Sequence, residues 1–446
     1  MACDTLEPPE QIRSAITDLW NSSFKNEANA VQSARFRMLE RLCSSAYAGV
    51  TGSRLPTRPT SNLDQQRLHG ALERFFRWTG APWHEGRCPD AAETACCLHA
   101  AFLISEVKRT YFAPLDRLEL IDITKHPREI LKYVRFGPNE VELLEEDGLA
   151  HRIPIAALRR FDRRYWFPLE RRLAGFYWLI GTAPEAPGPI WERTWSAILD
   201  TLVSEIGRLA LYEPAYPAPV EDALFVLLLR LVKTPSGEPW KPFAIPWIYS
   251  ITDDPFAEPP RAPDPSSLTW TLVGDEHHEF EVPDRSEEFK VVPEELTGVL
   301  EQRWRQLRTI SERQYKRPNF NLLTKHFFVK AFAEESIDEL LANLSCIEAT
   351  LMLPKEKNRK MMMKRYKSLV VDDDAYATLD HAYCLRNKYL HSTGNPADAI
   401  SWKDLAMARW SVTKAVDRYL SLTETRGDLN RQELLCLLER QDPSNR

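Results

Sequence analysis

The sequence predicts an α+β fold, predominantly helical, in which a C-terminal helical bundle follows a larger mixed region containing a small antiparallel sheet. Three observations carry this expectation. Apolar residues recur at helical spacing near the start of the chain, as in Ile12, Ile16, Leu19 and Trp20. Between residues 118 and 158 the pattern changes to short alternating runs separated by turn residues. After Asn321, amphipathic segments of similar length follow one another through short connections, a pattern that specifies an up-down bundle.

At 446 residues the chain has room for two or three domains with their own cores, and 43% hydrophobic with 27% charged residues is the composition of a globular protein. The net charge of −6 excludes a basic nucleic-acid coat, so any contact with nucleic acid must come from a local patch. Composition divides the chain into a helical arm and linker (1–62), a mixed sensor or regulatory region (63–253), a Pro-rich linker with a hairpin and connecting helix (254–320), the bundle (321–425) and a tail (426–446).

In order, residues 10–48 read as helical, and the polar stretch Gly49 to Ser61 reads as a linker. Asp64 to Arg109 is expected to be helical, with a break around Gly80 to Pro89. Val134–Phe136, Val141–Leu144 and Arg152–Ile155, separated by Gly137-Pro138-Asn139 and Asp147-Gly148, predict an antiparallel meander. Arg159 to Ile180 returns to helix. Its arginines (Arg159, Arg160, Arg163, Arg164, Arg171, Arg172) and aromatics (Tyr165, Trp166) fit a helix with rings facing a core and cations facing water. Helices follow near Trp191–Leu211 and Val220–Val232. The Pro-rich residues 234–265 mark the strongest domain boundary, because repeated Pro removes backbone donors. Leu268–Val273 and Glu279–Val282 suggest a hairpin, and His277-His278 between them reads as part of a solvated acidic turn. Glu294 to Gln314 is a charged helix.

The eight cysteines (Cys3, Cys43, Cys88, Cys96, Cys97, Cys346, Cys384, Cys436) form no C-x2-C pair, which suits reduced thiols. Cys88, Cys96, Cys97 and His99 lack the second ligand pair of a closed zinc site, so no metal is expected there. The first residues show neither a basic nor an apolar signal region, and the apolar run Ala223–Val232 is too short to span a bilayer and contains Arg230. A cytoplasmic protein without membrane contact is expected.

In the bundle, a first helix is expected at Leu322–Ala333 and a second at Ser336–Leu353, opened by a Ser336/Glu339 capping box and stopped by Pro354. The third covers Asp374–His391, with Asp372 to Asp374 at its positive end, and the fourth covers Ser401–Leu420, with Ser401 and Asp404 as a capping box. Between the second and third lies the strongest basic patch of the chain, with Lys355, Lys357, Arg359, Lys360, Lys364 and Arg365. Lys388 adds a further cation on the third helix. Together these are the expected RNA-binding residues, through phosphate contacts.

The third helix ends in Arg386-Asn387-Lys388-Tyr389-Leu390-His391. With ten His in the chain an Arg-x4-His spacing is by itself a weak signal. Its setting gives it weight: Glu348 on the preceding long helix, Tyr383 three positions before the Arg, and Gly394 soon after the His. Over roughly residues 321–420 this arrangement resembles the HEPN superfamily, particularly its Apea-like branch found in microbial defence proteins. Many members carry Gly directly after the His, where this chain has Ser392-Thr393.

The resemblance implies a symmetric dimer formed through the bundle and metal-independent endoribonuclease activity of a defence or toxin type, without a cofactor. Arg386, His391, Asn387 and Glu348 would be the catalytic set. Residue chemistry agrees. RNA supplies its own nucleophile, the 2′-hydroxyl, so the site needs proton transfer, for which His391 is suited, and charge stabilisation, for which Arg386 is suited. Asn387 would orient the imidazole or a phosphate oxygen. Residues five apart lie about 140° apart around a helix, so a shared groove requires two copies of this helix. No family resemblance is read from residues 1–320, and a trigger or regulatory partner is assigned to them by elimination. The rival reading is a non-catalytic module of the same fold serving dimerisation or nucleotide binding.

Overall fold

The computed structural model describes residues 7–50, 53–55, 62–84, 90–115, 118–145, 151–152, 175–187, 216–231, 248–257, 287–314, 316–391 and 400–440, and single positions 148, 190 and 245. The fold is α+β and mostly helical, as the sequence predicts.

Five helices, α1 (Glu10–Trp20), α2 (Glu27–Val31), α3 (Ala34–Tyr47), α4 (Asn62–Thr79) and α5 (Ala91–Leu103), form the N-terminal layer. The Asn26 and Ser33 side chains cap α2 and α3 by accepting from the amides of Asn29 and Phe36. The amphipathic spacing seen in the sequence buries Ile12, Leu19, Phe36, Phe75, Phe76 and Phe102 in a core of their own. Two features depart from expectation. Helix stops at Leu103, and Val107 starts a strand. Within the expected linker, Arg54 and Leu55 are buried. Arg54 makes a two-pronged pair with Asp254, at 2.8 and 3.2 Å, with both side chains almost fully enclosed. Burial alone lowers the Arg54 pKa to about 9.

Asp254 follows a strand inside the segment expected as a Pro-rich boundary. The main sheet has the order β4 (Tyr133–Phe136), β5 (Asn139–Leu144), β6 (Phe176–Glu185), β1 (Val107–Leu115) and β7 (Tyr249–Thr252), antiparallel throughout. The β4–β5 hairpin matches the expected meander. Its turn needs Gly137, which has φ +57° and lies so close to Trp304 that a Cβ would sit 2.1 Å from the indole nitrogen.

The remainder of the sheet differs from expectation. Phe176–Ile180, expected as the end of a helix, opens the central strand β6. Tyr177, Trp178, Leu179 and Ile180 are all buried because both faces of this strand are covered. A continuous apolar run of this kind has no period to distinguish it from a buried helix. Arg152, expected in a third strand, is helical and pairs with Glu140 and Glu142 of β5. A second sheet has the order β3 (Glu129–Ile130), β2 (Leu118–Asp122) and β8 (Glu287–Val291), with β2 and β8 parallel. The expected elements at Arg159–Arg172, Trp191–Leu211 and Leu268–Val282, including His277 and His278, lie outside the described residues.

Helix α6 (Ala218–Leu231) covers the main sheet, packing on β6 and β1 with one side and on α7 (Pro293–Arg313) and α8 (Leu322–Ala333) with the other. The bundle continues through α9 (Ser336–Leu351), α10 (Arg359–Val370), α11 (Asp373–His391), α12 (Trp402–Thr425) and α13 (Arg431–Arg440). Sheet, α6 and bundle share one hydrophobic core.

The Ser401/Asp404 capping box is present. The Ser336/Glu339 box is not: Glu335 is the N-cap, and Glu339 instead turns into the bundle to accept from Arg409 Nε at 2.9 Å. The expected tail holds α13, whose Leu434, Leu435 and Leu438 are buried against the bundle. Among the described residues no helix is long and apolar enough to cross a membrane.

Phe225 is fully buried on α6, and its ring meets Phe328 of α8 at 5.5 Å. Phe225→Ala is expected to lower the urea unfolding free energy by about 3–5 kcal/mol. Because sheet, α6 and bundle share one core, the transition that unfolds them should shift as a unit in far-UV circular dichroism. A loss under about 1 kcal/mol would contradict the central place of this helix.

Candidate functional site

The site expected from sequence lies where the C-terminal ends of α9 and α11 meet the N-terminal end of α10. Helix α11 begins at an Asx cap, with Asp372 Oδ1 accepting from the Ala375 amide at 2.9 Å. The Lys414 ammonium and that amide hold the Asp372 carboxyl below its ordinary pKa. Tyr366 and Ser411 then clamp the helix's first turn: the Ser411 hydroxyl donates to Ala375 O at 2.9 Å, and the Tyr366 hydroxyl donates to Ser411 O at 3.0 Å. Helix α11 is therefore fixed at its start and runs unbroken to the motif.

Asp380, Tyr383 and Arg386 recur every three residues along α11 and share one face. That face meets Glu348 of α9, whose Oε1 accepts from the buried Tyr383 hydroxyl at 3.2 Å and lies 3.8 Å from Arg386 Nη1. Arg359 of α10 lies over the Tyr383 ring at 4.9 Å and pairs with Asp380 at 2.5 Å. Burial, then the Glu348 charge, pushes the Tyr383 hydroxyl well above its usual pKa, against the pull of Arg386 and Arg359. Tyr383 consequently stays a donor to Glu348 through the neutral range.

Of the expected catalytic residues, the structure brings Glu348 and Arg386 together. Their side chains are 41% and 36% exposed. An ion pair this open contributes at most about 1 kcal/mol to folding, so its main physical effect is to aim the guanidinium. Asn387 is exposed. Helix α11 reaches His391, one turn beyond Asn387 on the same side of the helix. The side chain of His391 lies outside the described residues, as do Ser392, Thr393 and Gly394. Asp380 was not among the expected site residues; its spacing before Tyr383 and Arg386 is the signal that marks it.

The expected RNA-binding residues separate into two groups. Lys355, Lys357, Lys360, Lys364 and Lys388 are exposed. Arg359 is engaged with Asp380 and Tyr383. Arg365 is a correction: it is buried, donating to Leu351 O at 2.6 Å and to Glu356 at 2.6 and 2.9 Å, with Glu439 of α13 as a further partner. The basic stretch is a helix whose inner face also buries Met362, Met363 and Tyr366. A 3.6-residue period places Arg365 with that apolar set and Lys364 with the solvated one.

His99, considered with the cysteines near it, is buried and hydrogen-bonded through Nδ1 to the Tyr47 hydroxyl at 2.8 Å. Cys88 lies outside the described residues. Burial pushes the Cys43 and Cys346 thiols far up, so neither is a nucleophile near neutrality. Comparison of the chain with family models, curated proteins and solved structures found no match in any of the three.

Arg365→Ala is expected to destabilise the protein by about 3 kcal/mol, since it leaves Glu356 and Glu439 without their shared cation, whereas Lys364→Ala should stay within about 0.5 kcal/mol. The Arg365 hydrogen bond holds the Glu356 carboxyl below its ordinary pKa, against some burial. Its contribution is thus present above about pH 4.3 and lost as pH falls through the lower folded value. Wild type and Arg365→Ala should therefore converge in stability on acidification, measured by urea melts across that range. A constant gap would refute the ion-pair account.

Proposed function

We propose that the C-terminal bundle is a metal-independent endoribonuclease of a microbial defence or toxin type, acting as a homodimer. The observation that carries this reading is the meeting of Glu348, Tyr383 and Arg386. A buried hydroxyl and a carboxylate aim a half-exposed guanidinium out of the end of the bundle. Five exposed lysines, on α10, on α11 and in the connector before α10, give the same part of the molecule a local positive potential despite the net negative charge.

In this reading RNA lies across α11 with a phosphate at Arg386. The 2′-oxygen attacks the adjacent phosphorus, the bond to the 5′-oxygen breaks, and the products are a 2′,3′-cyclic phosphate and a 5′-hydroxyl. His391 takes the 2′ proton or supplies one to the departing oxygen, a role that suits an imidazole near neutrality. The Arg386 fork bears the charge that builds on the phosphorane, while Glu348 and Tyr383 hold it in place. Asn387 orients the imidazole or a phosphate oxygen. Arg386 and His391 sit about 140° apart around one helix, so the working groove takes one from each of two antiparallel copies of α11. The N-terminal layer and sheet would restrain the nuclease or receive its trigger.

The rival is a non-catalytic dimerisation or nucleotide-binding module, for which Glu348–Arg386 is only a tie between helices. Incubating RNA with wild type, Arg386→Ala and His391→Ala in the presence of a chelator separates the two. The enzyme reading expects cleavage by wild type and a loss of about 100-fold or more in each variant. Normal dimers with no cleavage, alone or with cell extract supplying a trigger, would favour the module. Growth arrest on expression, relieved by Arg386→Ala, is the corresponding outcome in cells. A monomeric variant that keeps full cleavage would overturn the shared groove.

A further inference from the structure

A cavity of about 270 Å³ opens where α6, α7 and α12 meet, lined by none of the residues of the Arg386 site. It is lined by three cations, Arg230, Arg303 and Lys414, and two carboxylates, Glu295 and Asp417. Each carboxylate is the more exposed partner of an arginine. Glu295 is 60% exposed while Arg230, 3.2 Å away, is 10% exposed. Asp417 is 37% exposed while Arg303 is 15% exposed. The two arginines thus form the floor and their acids the rim, where Lys414, 36% exposed, is bonded to Asp372. Arg230 Nε is enclosed and, among the described residues, has no hydrogen-bond partner. Burial lowers the proton affinity of this guanidinium, against the pull of Glu295.

We infer that this cavity binds a small phosphate monoester, with its phosphate on Arg230, Arg303 and Lys414 and its organic body against the Trp410 indole. A terminal phosphate brings nearly two negative charges and three acceptor oxygens, which match three cationic donors better than a carboxylate does. Leu229, Val299 and Trp410 add apolar wall, leaving room for a body the size of a pentose. Lys414 Nζ lies 4.1 Å from the centre of the Trp410 ring, so the charge and the ring are already side by side. Loading the site would displace the rim carboxylates toward water and tie α6, which carries the sheet, to α12 of the bundle. None of this depends on the ribonuclease reading.

Titration calorimetry of the full chain with ribose 5-phosphate, ribose and inorganic phosphate tests the inference. Saturable binding of ribose 5-phosphate, weaker binding of phosphate and none of ribose is the expected pattern, with affinity falling about tenfold or more in Arg230→Gln. Glu295→Gln supplies the readout that a purely structural role would not move. Removing a competing acid from the rim, at an exposed position, should tighten ribose 5-phosphate binding several-fold and leave the unliganded melting temperature nearly unchanged. Absence of saturable binding to folded wild type would overturn the site, as would affinity unchanged in Arg230→Gln or not improved in Glu295→Gln. Ribose 5-phosphate binding no tighter than inorganic phosphate would overturn the place given to Trp410.

Discussion

Helix α6 carries apolar side chains on every face, and no position exposed to water can accommodate such a helix. It has to be covered on all sides. The main sheet covers one side and the helices α7 and α8 cover the other, so the bundle and the sheet are held in one core by this one helix. Its charged positions follow from that burial. Glu221 accepts from His326 at 2.8 Å and faces Lys325 at 3.4 Å on α8, and Arg230 reaches Glu295 on α7. A buried carboxylate without a partner would cost several kcal/mol, so the Glu221 pairs fix how α8 meets α6.

The same logic of enclosed charge organises the bundle. Glu339 and Arg409 join α9 to α12, and Arg365 joins the connector, α10 and α13 through Glu356 and Glu439. These fully committed cations leave the solvated lysines and the half-open Arg386 as the groups available to an outside partner. A count of basic residues along residues 354–367 does not make this distinction, since Lys364 and Arg365 are neighbours in the chain and point to opposite environments.

The helical parts of the fold were legible because their evidence is local. Amphipathic stripes marked α1, α3, α9 and α12, and a capping box marked the start of α12. The motif on α11 was legible too, and Glu348 was named beside it through the family resemblance, but its contact with Arg386 was not. The sheet was only half legible. The β4–β5 hairpin has a Gly-Pro turn between alternating runs, whereas β6, β1 and β7 are brought together from residues up to about 145 positions apart and carry no turn between them. Likewise the Arg54–Asp254 pair joins two segments that read as linkers, because each charge is tolerable in the core only with the other present.

The sequence by itself determined where the bundle helices α8, α9, α11 and α12 lie, which residue types stand at the Arg-x4-His motif, and that any surface for an anionic partner had to be local. These depend on spacing and composition over a few turns of chain. Only the tertiary structure decided that Phe176–Ile180 is strand, that Glu339 and Arg365 belong to the interior, and that Arg230, Arg303 and Lys414 line one cavity. Each of those outcomes is set by what packs on a residue from far away in the chain, and burial of that kind leaves no periodic mark.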